Sequence, residues 1–206
     1  LLSGLAHVRF KIPSFIATLA MGGVLFSAAL VISREQSITL GESDRGYQTW
    51  ITGHIFGIPG VVIVGLVVLV VAHIVQSRTA FGRYSAAIGA GEPAAYASGV
   101  KVDRQKVIAY ILSASFAALA GVIRAGRLAS GSPTLAAELL LPSIAAVVVG
   151  GTAITGGDGS IWRTLVGALI ISVVRIGMNL LGVNIFAQNI VFGAVLIIAG
   201  AITIDR

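Results

Sequence analysis

No cysteine occurs among the 206 residues, which excludes disulfides and thiolate metal sites and leaves the redox compartment open. Charge is almost as scarce. Aspartate, glutamate, lysine and arginine make up 11% of the chain, against about 25% in an ordinary soluble domain. Too few charges are left to solvate a globular surface, so lipid must act as solvent for much of the molecule. His7, His54 and His73 are scattered, with no carboxylate at ligand spacing, and no metal site is indicated. There is no G-x-S-x-G elbow and no acid–base pair inside an apolar run, so no catalytic residue is assigned and an enzyme reading has nothing to rest on. A phosphate loop is missing too: "GAGEPA" has no lysine and no following serine or threonine.

What is present is apolar. Hydrophobic residues form 56% of the chain, glycine contributes 26 residues, and the mean hydropathy is +0.98. The net charge of +6 does not gather into one stripe, as nucleic-acid binding would require. The basic residues fall mostly between apolar runs, the distribution that membrane insertion selects. Six such runs can be marked: Phe15–Ile32, Ile55–Val75, Val107–Ile123, Leu139–Ile154, Leu165–Leu181 and Ile185–Ile204. A helix crossing the hydrocarbon core needs about 20 residues. The expected fold is therefore an all-α, polytopic transmembrane helical bundle of about six spans. Leu139–Ile154, with 16 residues and terminal glycines, reads as a short, half-length or re-entrant helix.

Arginine and lysine set the expected orientation. Arg78, Arg83, Lys101, Arg104 and Lys106 fall between the second and third runs, whereas Arg34 and Arg45 alone lie between the first and second. The positive-inside rule then puts residues 76–106 in the cytoplasm, with Arg9, Lys11, Arg163 and Arg206 on the same side. Arg34, Arg45, Arg124 and Arg127 fall outside, and both ends are cytoplasmic. Trp50 and Trp162 are expected at opposite membrane–water boundaries.

The stretch "TAFGRYSAAIGAGEPAAYASGVKVDRQK", Thr79–Lys106, interrupts this apolar pattern. Its middle reads as a short amphipathic helix. Glu92 and Pro93 suit a helix start, by charge against the dipole and by proline's tolerance of the first turn. Gly99 is expected to stop it as a left-handed C-cap. About two turns cannot hold alone in water, so the helix needs a surface to pack on.

These residues resemble the cytoplasmic coupling loop of bacterial ABC importer permeases, most closely the ribose/xylose-type sugar permeases. The matching elements are Thr79, Phe81, Gly82 and Arg83, then Ala87 and Gly89, then Glu92, Ala94, Ala95, Ser98 and Gly99. A second match is "ELLLPSIAAVVVGGTAITGGDGSIWRTLVGALII", which carries Glu138, Leu139, Ile144, Ala145, Ala146, Gly150, Gly151, Gly156, Gly157, Gly159 and Ser160. "IPSFIATLAM" is similar to the family's segment near the start. Gly91, Pro93 and Arg163 depart from the pattern, Arg163 standing where the family usually has glycine. The resemblance covers essentially the whole chain, in the family's order. It implies a single permease domain over 1–206, the C-terminal two-thirds of a longer polypeptide that begins upstream of "LLSGLAHVRF".

The resemblance also implies function and partners. A permease of this kind sits in the bacterial inner membrane and moves a monosaccharide, a pentose such as xylose or ribose. It works as a pair of copies, receives its cargo from a periplasmic or extracellular sugar-binding protein, and binds no cofactor itself. ATP and magnesium are used by separate ABC ATPase subunits, which take the coupling helix into a cleft. Gly82, Arg83, Glu92, Ala94, Ala95, Ser98 and Gly99 are the candidate coupling residues.

Other polar and small residues admit two readings each. Gly150, Gly151, Gly156 and Gly157 serve either close helix packing or a broken helix lining the translocation route. Glu138 is either a structural ion pair at the outer rim, near Arg124 and Arg127, or a rim group that meets the binding protein or the sugar. Arg175, the one cation well inside a run, either snorkels to the interface or lines a cavity with Asn179, one turn on. Asn184, Gln188 and Asn189 line a vestibule or cap the last helix. Nucleosides, inositols and branched-chain amino acids remain open as cargo, as does the weaker reading of an ATP-independent carrier or channel. Such a carrier normally shows intramembrane carboxylates as ion relays, and none lies well inside a run here.

Overall fold

Backbone N–H and C=O groups find no partner in hydrocarbon, so apolar stretches of this length have to satisfy their hydrogen bonds inside helices. The computed structural model describes residues 2–41, 45–55, 57–153 and 156–204. It is built of helices with two very short antiparallel strand pairs. The expectations for the side chains of Trp50, Arg45 and Arg206 lie outside the described residues.

The chain opens with α1 (Leu2–Phe10), α2 (Ser14–Ser33), β1 (Ile38–Thr39) and α3 (Arg45–Thr52). A tight hairpin, β2 (His54–Ile55) and β3 (Ile58–Pro59), leads into α4 (Gly60–Arg78). Then come α5 (Ala80–Ala90), α6 (Glu92–Ala97), α7 (Val102–Leu128) and β4 (Ser130–Gly131). After a 3-10 stretch, Pro133–Leu139, the chain ends in α8 (Leu140–Val149), α9 (Ile161–Leu180) and α10 (Ile185–Ile204).

The six expected runs correspond to α2, α4, α7, α8, α9 and α10. Helices α2, α4, α7 and α9 are long and apolar enough to cross a membrane. The second and third runs show how the boundaries shift from the expectation. The second run starts at Gly60 rather than Ile55, because Gly57, at φ +79°, turns the chain into the β2–β3 hairpin. The third extends past Val107–Ile123 at both ends to 27 residues, or about 40 Å, beyond the roughly 30 Å of a hydrocarbon core. Asp103 in its first turn and Arg127 in its last complement the helix dipole. The large side chains of α2 and α4 stand exposed, Leu25 and Val67 among them, as lipid-facing surfaces do.

Contacts group the chain into two compact units, Leu1–Val68 with Lys101–Ala136 and Leu69–Val100 with Ala137–Arg206. In the first, α1 packs on α7 where Gly4 lets the helix close on Tyr110: an added Cβ would stand 3.1 Å from that ring. His7 lies 6.0 Å, centroid to centroid, from the same ring, and its Nδ1 donates to the Ile12 carbonyl at 2.6 Å. The β1–β4 pair then joins the end of α2 to the end of α7, with Ile38 opposite Gly131 and Thr39 opposite Ser130.

The second unit is organised around α8. Its ten residues rise about 15 Å, half a bilayer core, as expected for the short segment. Helices α8 and α9 run antiparallel, so Gly150 meets Arg163, Ala146 meets Gly167, and Glu138 comes level with Arg175. Helix α10 covers the other side, burying Phe192 among Ala145, Ala146 and Ile171. The backbones approach because two side chains are missing. A Cβ on Gly150 would lie 2.5 Å from the Arg163 carbonyl oxygen, and one on Gly167 would lie 2.7 Å from the Gly150 nitrogen. Gly167→Ala and Gly150→Ala are expected to cost about 1–3 kcal/mol by overpacking. Gly22→Ala, at a position with nothing within 4 Å, should be near neutral; unfolding of the detergent-solubilised protein compares the three.

Candidate functional site

The cationic segment between α4 and α7 is more ordered than its polarity suggests. Residues 80–90 form α5, a helix that neither periodicity nor apolar content announces. Thr79 caps the turn out of α4, its hydroxyl donating back to the Val75 carbonyl at 2.5 Å. Gly82 is required beside it, because a Cβ there would overlap the Gln76 backbone.

The short helix lies where the sequence puts it. Helix α6 starts at Glu92 with Pro93 in its first turn. It ends in a Schellman motif: Gly99, at φ +82°, donates to the Tyr96 carbonyl at 3.0 Å, and Val100 donates to Ala95 at 3.1 Å. The Ser98 hydroxyl donates to the Ala94 carbonyl at 2.9 Å. Ala95 is 4% exposed and faces its own chain, whereas Tyr96 is 75% exposed. Ala94, Ser98, Gly99, Glu92 and Arg83 are exposed as well. The seven candidate coupling residues thus divide: Gly82 and Ala95 build the element, and the other five lie on its surface.

The glycines between α8 and α9 have packing partners. Gly150 seats α8 on α9, and Gly151, Gly156 and Gly157 take positive φ of +79°, +90° and +88° in the loop. Gly157 lies directly against Gly89 of α5, with its ideal Cβ position 3.0 Å from the Gly89 carbonyl carbon. Arg163, in the first turn of α9, closes the loop by a bidentate pair with Asp158, its Nη1 donating to Oδ2 at 3.0 Å and its Nη2 to Oδ1. The guanidinium holds the Asp158 carboxyl below its ordinary value of 3.8. A depressed carboxylate contributes above its unfolded value and loses that contribution as pH falls through the folded one, so this closure persists at neutral pH.

Deeper along α9, two residues read separately in the sequence form one feature. Arg175 lies 3.9 Å from Glu138, so the cation inside the span has a carboxylate partner. One turn on, Asn179 accepts a hydrogen bond from the Gln188 side chain at 2.8 Å, and Gln188, 3% exposed, also donates to the Val183 carbonyl at 2.9 Å. Asn184 caps α10, its Oδ1 accepting from the Phe186 N–H at 3.0 Å. Arg124, half-buried, and Arg127, exposed, occupy the last turns of α7 in the first unit.

Sequence reasoning passed over Gln76 and the Asp158–Arg163 pair. Gln76, at the end of α4, bonds to Gly159 and Ile161, more than eighty positions away, a separation that leaves no local signal. For the ion pair a double-mutant cycle offers a direct check. Glu138→Gln and Arg175→Leu should each lower stability, and the double variant should fall short of their sum by about 1 kcal/mol. Denaturant unfolding in mixed micelles reads the difference.

Comparison with known proteins places this chain in a family. Residues 1–200 match the family model described as "Branched-chain amino acid transport system / permease component". The chain is 42% identical to the ribose import permease protein RbsC of Bacillus subtilis (strain 168), over 99% of this chain and 63% of that protein. It is 36% identical to the ribose import permease protein RbsC of Escherichia coli (strain K12), over 96% of this chain and 62% of the relative. Identity to the L-arabinose transport system permease protein AraH of Escherichia coli (strain K12) is 35%, over 99% and 61%. The chain therefore spans somewhat under two-thirds of the length of these relatives. No solved structure matches it. With a family match over nearly its whole length and helices suited to cross a bilayer, this multi-pass membrane chain belongs to the permease-component family of branched-chain amino acid-type transport systems.

Proposed function

We propose that this chain is the membrane permease of an ATP-driven importer that moves a monosaccharide, a pentose such as ribose, xylose or arabinose, across the bacterial inner membrane. One observation carries the coupling half of the reading. Helix α6 is closed by Gly99 and held through buried Ala95, yet it presents Tyr96, Ala94 and Ser98 outward within a basic segment. A stiff, small-residue knob suits insertion into a cleft of a partner, and an exposed tyrosine suits an anchoring contact. The partner proposed is an ABC ATPase subunit, where ATP and magnesium bind. Cargo arrives from a periplasmic or extracellular sugar-binding protein, and two copies of the permease enclose the path. Residues 76–106 and both ends of the chain then lie on the cytoplasmic side.

In this arrangement Gly150, Gly151, Gly156 and Gly157 end the half-helix α8 at the inner mouth of the path. Arg175 and Asn179 border it deeper, and Glu138, Arg124 and Arg127 belong to the outer rim. The relatives named for ribose and arabinose support the sugar. The family description names branched-chain amino acid transport, which keeps amino acids, with nucleosides and inositols, as the second reading of the cargo.

The test places substitutions on the exposed residues of α6, because Ala95 is needed within the chain. Ala94→Trp with Tyr96→Ala should reduce co-purification of the ATPase about tenfold, the scale of one lost anchor, without lowering the yield of folded permease. Failure of the unaltered protein to retain any ATPase, with solute uptake driven by an ion gradient instead, would establish the carrier alternative.

A further inference from the structure

The second unit contains a link between α4, α5 and α9 that the coupling element does not need for its own fold. The Gln76 carboxamide reaches the segment entering α9 with both of its ends. Nε2 donates to the Gly159 carbonyl at 2.8 Å, and Oε1 accepts from the Ile161 N–H at 3.0 Å. A side-chain amide offers the same donor and acceptor as a peptide group, so Gln76 pairs with residues 159–161 as a strand would. Asparagine is one methylene too short for both bonds, glutamate lacks the donor, and leucine has the bulk with neither. Ser160, at the N-cap position of α9, makes no side-chain capping bond of its own, and the Ile161 N–H is one of the orphan donors of that helix end. Gln76 satisfies it from another helix.

Two further contacts join the same places. One turn before Gln76, the His73 ring lies 5.5 Å from the Trp162 ring, the second residue of α9. On α5, Gly89 lies against Gly156 and Gly157, backbone on backbone. Helix α6 hangs from α5 through Gly91, whose carbonyl accepts from Ala95 at 3.0 Å and whose N–H donates to Ala87 at 3.2 Å. A displacement of α6 therefore bears on α5, and through Gly89 and Gln76 on the first turn of α9. Packed backbones shift as bodies because there is no soft side chain to absorb the movement.

We propose that Gln76 is a positioning residue that transmits movement of the α5–α6 element to α9, the helix that carries Arg175 and Asn179. The proposal rests on the permease reading for its purpose, but the link itself lies within the chain and is measurable without any partner. Amide hydrogen exchange of the whole protein in detergent is followed over residues 156–164, with and without Ala95→Leu, which disturbs α6 at its buried contact. In the wild type, Ala95→Leu should change exchange there by about tenfold, and in a Gln76→Leu background by less than about threefold. A residue that only caps α9 would raise exchange of Ile161 in Gln76→Leu yet leave the response to Ala95→Leu as large as in wild type, and that result overturns the proposal. Should Gln76→Leu fail to fold, Gln76→Glu, which keeps the acceptor and loses the donor, is read in the same way. In reconstituted vesicles with the ATPase, Gln76→Leu should lower solute moved per ATP while the ATPase still co-purifies. Absence of ATPase binding by the wild type would sink the importer reading, and the exchange comparison would still decide the link.

Discussion

Backbone meeting backbone is the constraint on which the second unit depends. At Gly150 and Gly167 the half-helix α8 lies close enough to α9 that a single added carbon on either would collide with a main-chain atom. At Gly89 and Gly157 a helix between spans touches a loop in the same manner. In lipid there is no hydrophobic drive to press helices together, so surface fit and van der Waals contact decide association. Small residues on both faces give that fit. They also explain how a helix of only about 15 Å can be held at all: α8 lies between α9 and α10, with Ala145 fully buried and Phe192 filling the third side.

The same property made part of the structure readable from sequence and hid the rest. Apolar runs of sufficient length mark α2, α4, α7, α9 and α10 by composition alone, because a membrane leaves the backbone no alternative to a helix. The cap of α6 was legible because its chemistry is local: Glu92, Pro93 and Gly99 each do a job set by immediate neighbours. Helix α5 was not legible, since Gly82 and Gly89 and the absence of an apolar period mask the helix propensity of its alanines. Glu138 and Arg175 were each visible as exceptions within an apolar chain, but their pairing is a product of antiparallel register, which no single position encodes. Gln76 had no signal whatever, a lone amide at the end of a span.

Polar contacts differ along α9. Near the α8–α9 loop the polar contacts are many and mutually supporting: Gln76 with residues 159 and 161, Asp158 with Arg163, and Thr152 with Thr164 at 3.3 Å. Between Arg175 and Glu138 the separation of 3.9 Å exceeds hydrogen-bond length, so this contact is an ion pair rather than a hydrogen bond. An arginine at a helix centre in the membrane costs about 2.5–3.5 kcal/mol on insertion scales, and the Glu138 carboxylate 3.9 Å away offsets part of such a cost for Arg175.

This contrast bears on how a movement would be divided. A helix tied at its first turn turns displacement there into rotation or tilt, with the excursion growing along its length. Arg175 lies 14 residues beyond Ile161, about 21 Å along α9, so a tilt of ten degrees at the tied end would move it by roughly 4 Å. That exceeds what the Arg175–Glu138 contact could follow without parting. Rigid packing at Gly150, Gly157 and Gly167 is what such a tilt requires, because a loop end that yielded first would transmit nothing.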